Sequence, residues 1–285
     1  MEETRLIGQL NLNGKKLSKG HARIADFIEK HYDKAVFMTA SVLGDTVGVS
    51  ESTVVRFASA LGYEGYPEMQ KSLQELVRHR LTSAQRFEMT ADVSRKDAMS
   101  RVLKTDMNNI RNTIEEINED KFLQVVDSIK DASTIYVLGL RSAAPLSEFF
   151  GYYLHFIFDD VRVVGAGSTD VFESIARIGK GDVLIGISFP RYSTRTLEAM
   201  RFARKHGATV VGLTDGPMSP LVNEAEVCLS ARTDMASFVD SLVAPLSVIN
   251  ALLVALAIEK KGDLSRNLDR LEEIWNAFSI YTNKE

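Results

Sequence analysis

Beyond residue 130 the chain alternates short apolar runs with longer helical stretches, and this alternation constrains the fold more than any other feature. The runs fall at 134–138, 161–164, 183–187, 209–213 and 227–229, each rich in Val, Ile or Thr and each followed by a polar or glycine-containing break. Helical patterns occupy 142–158, 169–178, 194–206, 238–260 and 264–280. Runs this short and this uniformly apolar suit strands buried on both faces, as in a parallel sheet covered by helices. The expectation is a layered α/β domain with five parallel strands. Ligands of such sheets sit beyond the carboxyl ends of the strands, so the residues that follow each run are the ones to question.

The chain before this region reads differently. A helix begins after Ser18, with apolar residues at 24, 27 and 28, and two more short helical patterns start at Ala40 and Glu51. Gly62, Gly65 and Pro67 break the pattern, which resumes over 68–80, and no strand pattern appears. The predicted organisation is an all-helical domain over 1–80, a polar linker over 81–105 and an α/β domain over 106–285. Leu103, Met107, Ile110, Ile114 and Ile117 recur at helical spacing and open that second domain with an amphipathic helix, and Asn118 starts the next.

Within 285 residues the net charge is −4, which excludes a uniformly basic nucleic-acid coat but not a localised reading surface. The charge is uneven: the first 105 residues carry a slight basic excess and the remainder an acidic one. The single cysteine, Cys228, excludes an intrachain disulfide and a cysteine-based zinc site. No apolar stretch approaches the roughly 18–20 residues that span a bilayer. The acidic first residues lack an apolar signal segment, so the expectation is a cytoplasmic protein with no membrane partner.

The segment Ala40-Ser-Val-Leu-Gly-Asp-Thr-Val-Gly-Val-Ser-Glu-Ser-Thr-Val-Val-Arg-Phe has the grammar of a helix-turn-helix. Leu43, Val47, Val49, Val54 and Phe57 can share one small core. Gly44 is small where two helices cross, and Gly48 sits at the turn, where a left-handed backbone costs a glycine least. Ser50 is placed to N-cap the second helix by accepting a backbone N–H. That helix then presents Ser52, Thr53 and Arg56 near its start, the end that enters the major groove in such motifs. Hydroxyls suit phosphates or base edges, and Arg56 suits either a guanine or a phosphate. Glu51 repels phosphate and is assigned to starting the helix.

Four motifs taken in order carry a family resemblance: Leu17-Ser-Lys-Gly-His-Ala-Arg-Ile-Ala-Asp-Phe-Ile, Met38-Thr-Ala-Ser, Val49-Ser-Glu-Ser-Thr-Val-Val-Arg-Phe and Leu61-Gly-Tyr-Glu-Gly-Tyr-Pro-Glu. Together they resemble the N-terminal domain of RpiR/MurR-type bacterial transcriptional regulators. That family joins this domain to a sugar isomerase (SIS) domain, which the α/β half fits. The resemblance implies double-stranded operator DNA and a small anionic effector, a phosphosugar or a sugar acid, as partners.

Two loops of the α/β half bear on the effector. Gly139-Leu-Arg-Ser142 follows the first run; Gly139 allows a tight turn, while Ser142 and nearby backbone N–H groups form a candidate anion site, with Arg141 either adding charge or pointing away. Gly186-Ile-Ser188-Phe-Pro-Arg-Tyr-Ser193 follows the third and resembles the second SIS loop, Ser-x-Ser-Gly-x-Thr. In that alignment Ser188 takes the first Ser position, Pro190 the second Ser, Arg191 the Gly and Ser193 the Thr. Pro190 removes a hydroxyl and an N–H. Arg191 supplies a guanidinium that fits a phosphate or carboxylate, or alternatively an ion pair between subunits. Gly139, Ser142, Ser188, Arg191 and Ser193 are the candidate ligand residues.

Gly165-Ala-Gly167-Ser168-Thr is too short and misplaced for a dinucleotide fingerprint, and no acidic residue at the end of the second run is placed to hold a ribose, so no cofactor is expected. Glu148 is the carboxylate an isomerase would use as base, but a solvated or interface role is the plainer reading. His21, His31 and His79 show no metal spacing, His155 beside Phe156 reads as a core or interface histidine rather than a catalyst, and Cys228 reads as inert core. Phe149, Phe150, Tyr152, Tyr153, Phe156 and Phe158 crowd one helix, and 238–258 is apolar nearly all round, with Trp275 and Phe278 placed to seal that region; these imply a core or a homodimer or homotetramer interface. The expected function is a non-enzymatic, effector-responsive DNA-binding regulator. A sugar-phosphate isomerase with an accessory DNA-binding domain is the alternative, and a pure interaction module the third.

Overall fold

The computed structural model describes residues 17–77, 82–88, 94–165, 170–236 and 238–282. Residues from Ser94 to Glu285 cluster as one compact unit and the chain before them as another.

The first unit contains α1 (Lys19–Lys30), α2 (Tyr32–Ala35), α3 (Ala40–Val47), α4 (Glu51–Ala60), α5 (Tyr66–Val77) and α6 (Ser83–Glu88). Ser18 caps α1 by accepting from the His21 N–H at 3.2 Å, and Thr39 caps α3 by accepting from Val42 at 3.3 Å. The apolar faces of α1, α3, α4 and α5 meet in one core around Ile24, Ile28, Leu43, Val54, Phe57 and Met69. The carbonyls that follow α2 find partners on α5. Tyr66 donates to the Met38 oxygen at 2.6 Å, Gln70 to Met38 and Val36, and Gln74 to Val36 at 2.8 Å. These bonds satisfy buried backbone oxygens that would otherwise be costly.

The second unit opens with α7 (Ala98–Glu116), which begins inside the stretch read as linker, and α8 (Glu119–Lys130), capped by Asn118. There follow β1 (Ile135–Gly139), α9 (Ala144–Ile157), β2 (Val161–Val164), α10 (Val171–Ser174), β3 (Val183–Ile187), α11 (Thr194–Lys205), β4 (Thr209–Thr214), β5 (Val227–Ser230), α12 (Val243–Glu259) and α13 (Lys261–Ala277). The strands form one parallel sheet in the order β2-β1-β3-β4-β5. Successive residues alternate faces. Ile135 and Val137 join a core with α8, α9 and α12, while Tyr136 and Leu138 join another with α10 and α11. Both faces are therefore covered, as the apolar runs required.

Two helices are shorter than their sequence patterns. The pattern over 169–178 yields the four-residue α10, capped by Asp170, after which Ile175 and Ile178 turn inward and are buried. The pattern over 238–260 yields a helix only from Val243, because the residues before it are held by side chains of α7, as described below. Among the described residues no single helix is long and apolar enough to cross a membrane.

Phe150 is fully buried on α9. Phe150→Ala is expected to lower stability by about 3–5 kcal/mol in urea denaturation. Burial pushes the Tyr66 phenol up to about 12 from an ordinary value of 10.0. Between those values the unfolded chain sheds this proton while the folded chain keeps it, so stability falls as pH rises. Denaturation of the full chain at about pH 9 and about pH 11 should show that decline, and Tyr66→Phe should flatten it.

Candidate functional sites

The exposed start of α4 is the first site. Gly48 ends α3 with φ of 70°, the left-handed conformation expected of it, and the Val49 N–H returns to the Gly44 oxygen at 2.9 Å. A Cβ on Gly44 would lie 2.8 Å from the Val49 carbonyl oxygen, so only glycine lets the turn fold back this tightly. Ser50 has the extended backbone of an N-cap, but its hydroxyl makes no bond to a backbone N–H, contrary to expectation. The reason is local competition: its Oγ lies 2.9 Å from both Ser52 Oγ and Thr53 Oγ1. Arg56 donates from Nε to the Ser52 carbonyl at 3.2 Å and from its terminal nitrogen to Thr53 Oγ1 at 3.4 Å. The four candidates thus form one hydroxyl–guanidinium cluster on the surface.

A shallow cavity of about 560 Å³ joins this cluster to the start of α1, lined by Ser18, Gly20, His21, Val49, Ser50, Thr53 and Arg56. A Cβ on Gly20 would lie 3.2 Å from Thr53 Cγ2, so the two helix starts are nearly in contact. Sequence reasoning missed Ser18, Gly20 and His21 as neighbours of α4. The signal available was a small residue in the first turn of α1.

The second site lies at the carboxyl edge of the sheet. Chain order reverses between β1 and β3, the position at which sheets of this kind bind their ligands. Gly139 pairs with Ile187 in register, so the loops carrying Ser142 and Ser188–Ser193 leave neighbouring strands side by side. Gly139 is buried, and a Cβ there would lie 2.6 Å from the Ala143 oxygen, which explains the tight turn. Arg141, Ser142 and Ala143 form a 3-10 turn ahead of α9, with Ser142 exposed.

The second loop closes on itself. The Ser193 N–H donates to Ser188 Oγ at 3.2 Å, and Ser193 Oγ caps α11 by accepting from the Thr196 N–H at 3.3 Å. The end of β4 pins both ends of the loop: Thr214 Oγ1 donates to the Ser188 carbonyl at 2.9 Å, and Tyr192 donates to Asp215 at 2.8 Å. Pro190 is buried and Arg191 exposed at the tip. Arg191 has φ of 67° and Arg141 has φ of 57°, both left-handed. Each costs about 1–2 kcal/mol relative to a relaxed backbone. Two such arginines on adjacent loops concentrate strain and positive charge at the carboxyl edge of the sheet.

The first turn of α11 adds partial positive charge at this edge. Within that turn the Thr196 hydroxyl is buried and has no hydrogen-bond partner among the described residues. An orphaned buried hydroxyl beside an N-terminus is what a missing oxygen ligand would satisfy, and Thr196 was not among the residues singled out from sequence. The groove at the opposite edge, about 560 Å³, is lined by Asp120, Asp127, Asp131 and Asp182 and would repel anions. Gly167, Ser168 and His79 lie outside the described residues. Glu148 and His155 are exposed on α9. Burial raises the Cys228 thiol to about 11, which leaves it unreactive.

The comparisons agree with these two halves. Residues 4–79 match the helix-turn-helix domain of the rpiR family, and residues 128–255 match the SIS domain. The HTH-type transcriptional regulator HexR of Pseudomonas aeruginosa is 25% identical over 282 residues, covering 94% of each chain. The sugar isomerase domain of an RpiR transcription factor from Sphaerobacter thermophilus superposes with a TM-score of 0.60 at 24% identity, over 62% of this chain and 99% of that one. The NanR protein of Vibrio vulnificus, solved with ManNAc-6P, superposes with a TM-score of 0.59 at 21% identity, over 98% of this chain and 100% of that one. The chain is therefore a transcriptional regulator of the RpiR type, an rpiR-family helix-turn-helix domain followed by a SIS domain.

Proposed function

We propose that the chain binds operator DNA through α4 and a small anionic metabolite, a phosphosugar or a sugar acid, at the crevice between β1 and β3. The observation that carries the effector reading is the pair of left-handed arginines, Arg141 and Arg191, on the two loops that flank the sheet's point of reversal. Nearby lie the capped start of α11 and the orphaned Thr196 hydroxyl. Gly139 makes the first turn possible, and Ser142, Ser188 and Ser193 supply hydroxyls. Since Ser188 and Ser193 already bond one another and α11, they shape the loop while the arginines supply charge. The bound sugar phosphate in NanR supports the same ligand class.

The DNA reading rests on the cluster of Ser50, Ser52, Thr53 and Arg56 at the exposed start of α4. A single helix reads few base pairs, so the protein acts as a homodimer or homotetramer that places two heads on two half-sites. Exposed apolar side chains on the second unit support assembly, among them Met107, Ile114, Val254, Ile258 and Phe278. The protein works in the cytoplasm, where its DNA is. It senses rather than converts the metabolite, and turnover of any sugar phosphate tested would overturn that part of the reading.

Arg56→Ala is expected to weaken binding to the duplex the protein selects from a random library by about 1–3 kcal/mol. A larger loss on the selected duplex than on unrelated DNA assigns Arg56 to a base, and an equal loss assigns it to a phosphate. Binding of the wild type should also weaken steeply with salt as counterions are released. For the effector, Arg191→Gly suits the left-handed backbone and so removes charge without adding strain. It should weaken the best ligand among ManNAc-6P, glucose 6-phosphate and 6-phosphogluconate by about 10- to 100-fold in calorimetry, the loss of one charge-assisted contact. Unchanged affinity would remove Arg191 from the site.

A further inference from the structure

A ladder of hydrogen bonds joins α7 to the segment that leaves β5. That segment, of which residues 231–236 and 238–242 are described, follows the edge strand β5 and is not itself part of a strand. The face of α7 that carries residues 106, 109, 113 and 116 supplies the missing partners. Asn109 behaves as a peptide group: its Nδ2 donates to the Asp234 carbonyl at 2.8 Å and its Oδ1 accepts from the Asp234 N–H at 3.0 Å. Thr113 Oγ1 accepts from the Arg232 N–H at 2.9 Å and donates to the Asn109 carbonyl at 2.7 Å. Arg232 forks onto Glu116, and Ser241 donates to Asp106 at 2.6 Å.

Asn109 is 0% exposed and Thr113 5% exposed. Two buried polar side chains on a helix that could have packed with apolar ones fix one register between α7 and this segment, because any slip would leave them unsatisfied.

The ladder continues to the effector edge. The Ala231 N–H donates to the Thr214 carbonyl at 2.8 Å, closing the sheet beside the segment. Thr214 in turn bonds the Ser188 carbonyl through its hydroxyl, and the next residue, Asp215, holds Tyr192. One unbroken set of bonds therefore runs from the Arg191 loop, through the ends of β4 and β5, to α7. In the chain, α7 is the first long helix after the DNA-binding unit.

We infer that Asn109 and Thr113 are positioning residues that pass occupancy of the Arg191 loop to α7, and so set how strongly the effector changes operator affinity. The inference rests on the effector site proposed above. A change in the loop on binding shifts the ends of β4 and β5 together, and the side-chain ladder compels α7 to follow. Without the ladder the segment and α7 can respond independently, and coupling is lost even though both ligands still bind.

Thr113→Val keeps the shape and removes the hydroxyl, Thr113→Ser keeps the hydroxyl and removes the methyl, and Asn109→Leu removes the peptide-like fork. Each full-length variant is titrated with its selected duplex, with and without saturating ManNAc-6P, glucose 6-phosphate or 6-phosphogluconate, whichever binds the wild type best in calorimetry. The wild type should change operator affinity by about tenfold or more on saturation, and Thr113→Ser should match it. Thr113→Val and Asn109→Leu should fall below about threefold while still binding the compound and, separately, the duplex. Retention of the wild-type response in Thr113→Val would overturn the inference, as would an equal loss in Thr113→Ser. If Asn109→Leu fails to fold, the threonine pair decides alone. Failure of the wild type to bind any of the three compounds would overturn the effector reading itself, and the inference with it.

Discussion

The parallel pairing of β1 with β3 is the constraint on which the second unit depends. Parallel neighbours cannot be joined by a short turn, so the chain must cross over with α9, β2 and α10 before β3 is added. β2 takes one side of β1 and β3 the other, and the chain then grows outward through β4 and β5. Because Gly139 and Ile187 are in register, two loops emerge at one edge with no strand between them. The apolar faces that result require α8, α9 and α12 on one side and α10 and α11 on the other. The adjacency of the two loops at the carboxyl edge follows from that one pairing.

The two arginines at the carboxyl edge sit on a strained backbone. Arginine at positions 141 and 191 adopts a conformation in which glycine would be comfortable. The surrounding bonds overdetermine it: Thr214 and Tyr192 pin the second loop at both ends, and Ser188 and Ser193 close it internally. At the position that aligns with the glycine of the SIS pattern, Arg191 has a left-handed backbone and adds a guanidinium.

The head shows the opposite economy. Its hydroxyls bond one another and Arg56 instead of capping the helix, which keeps them together on the surface but leaves the first-turn N–H groups of α4 without the Ser50 side chain. All of these bonds lie at the exposed start of the helix.

Most of the secondary structure was legible in the sequence because it follows from local periodicity. The five strands begin and end within a residue of the apolar runs, and the glycines at 44 and 48 announce their turn. The RpiR and SIS domains were legible as motif order. Local pattern could not show that Ser50 would bond other hydroxyls, that Thr196 would be buried without a partner, or that α12 would begin only at Val243. Nor could it show that Asn109 would serve as a peptide group for Asp234. The first is a local choice among hydroxyls two and three residues apart; the others depend on packing between segments distant in sequence, 125 residues apart in the last case. Periodicity records which face of an element is apolar; only the tertiary structure decides which polar groups on those faces meet, because their partners are brought together by the packing of the whole sheet.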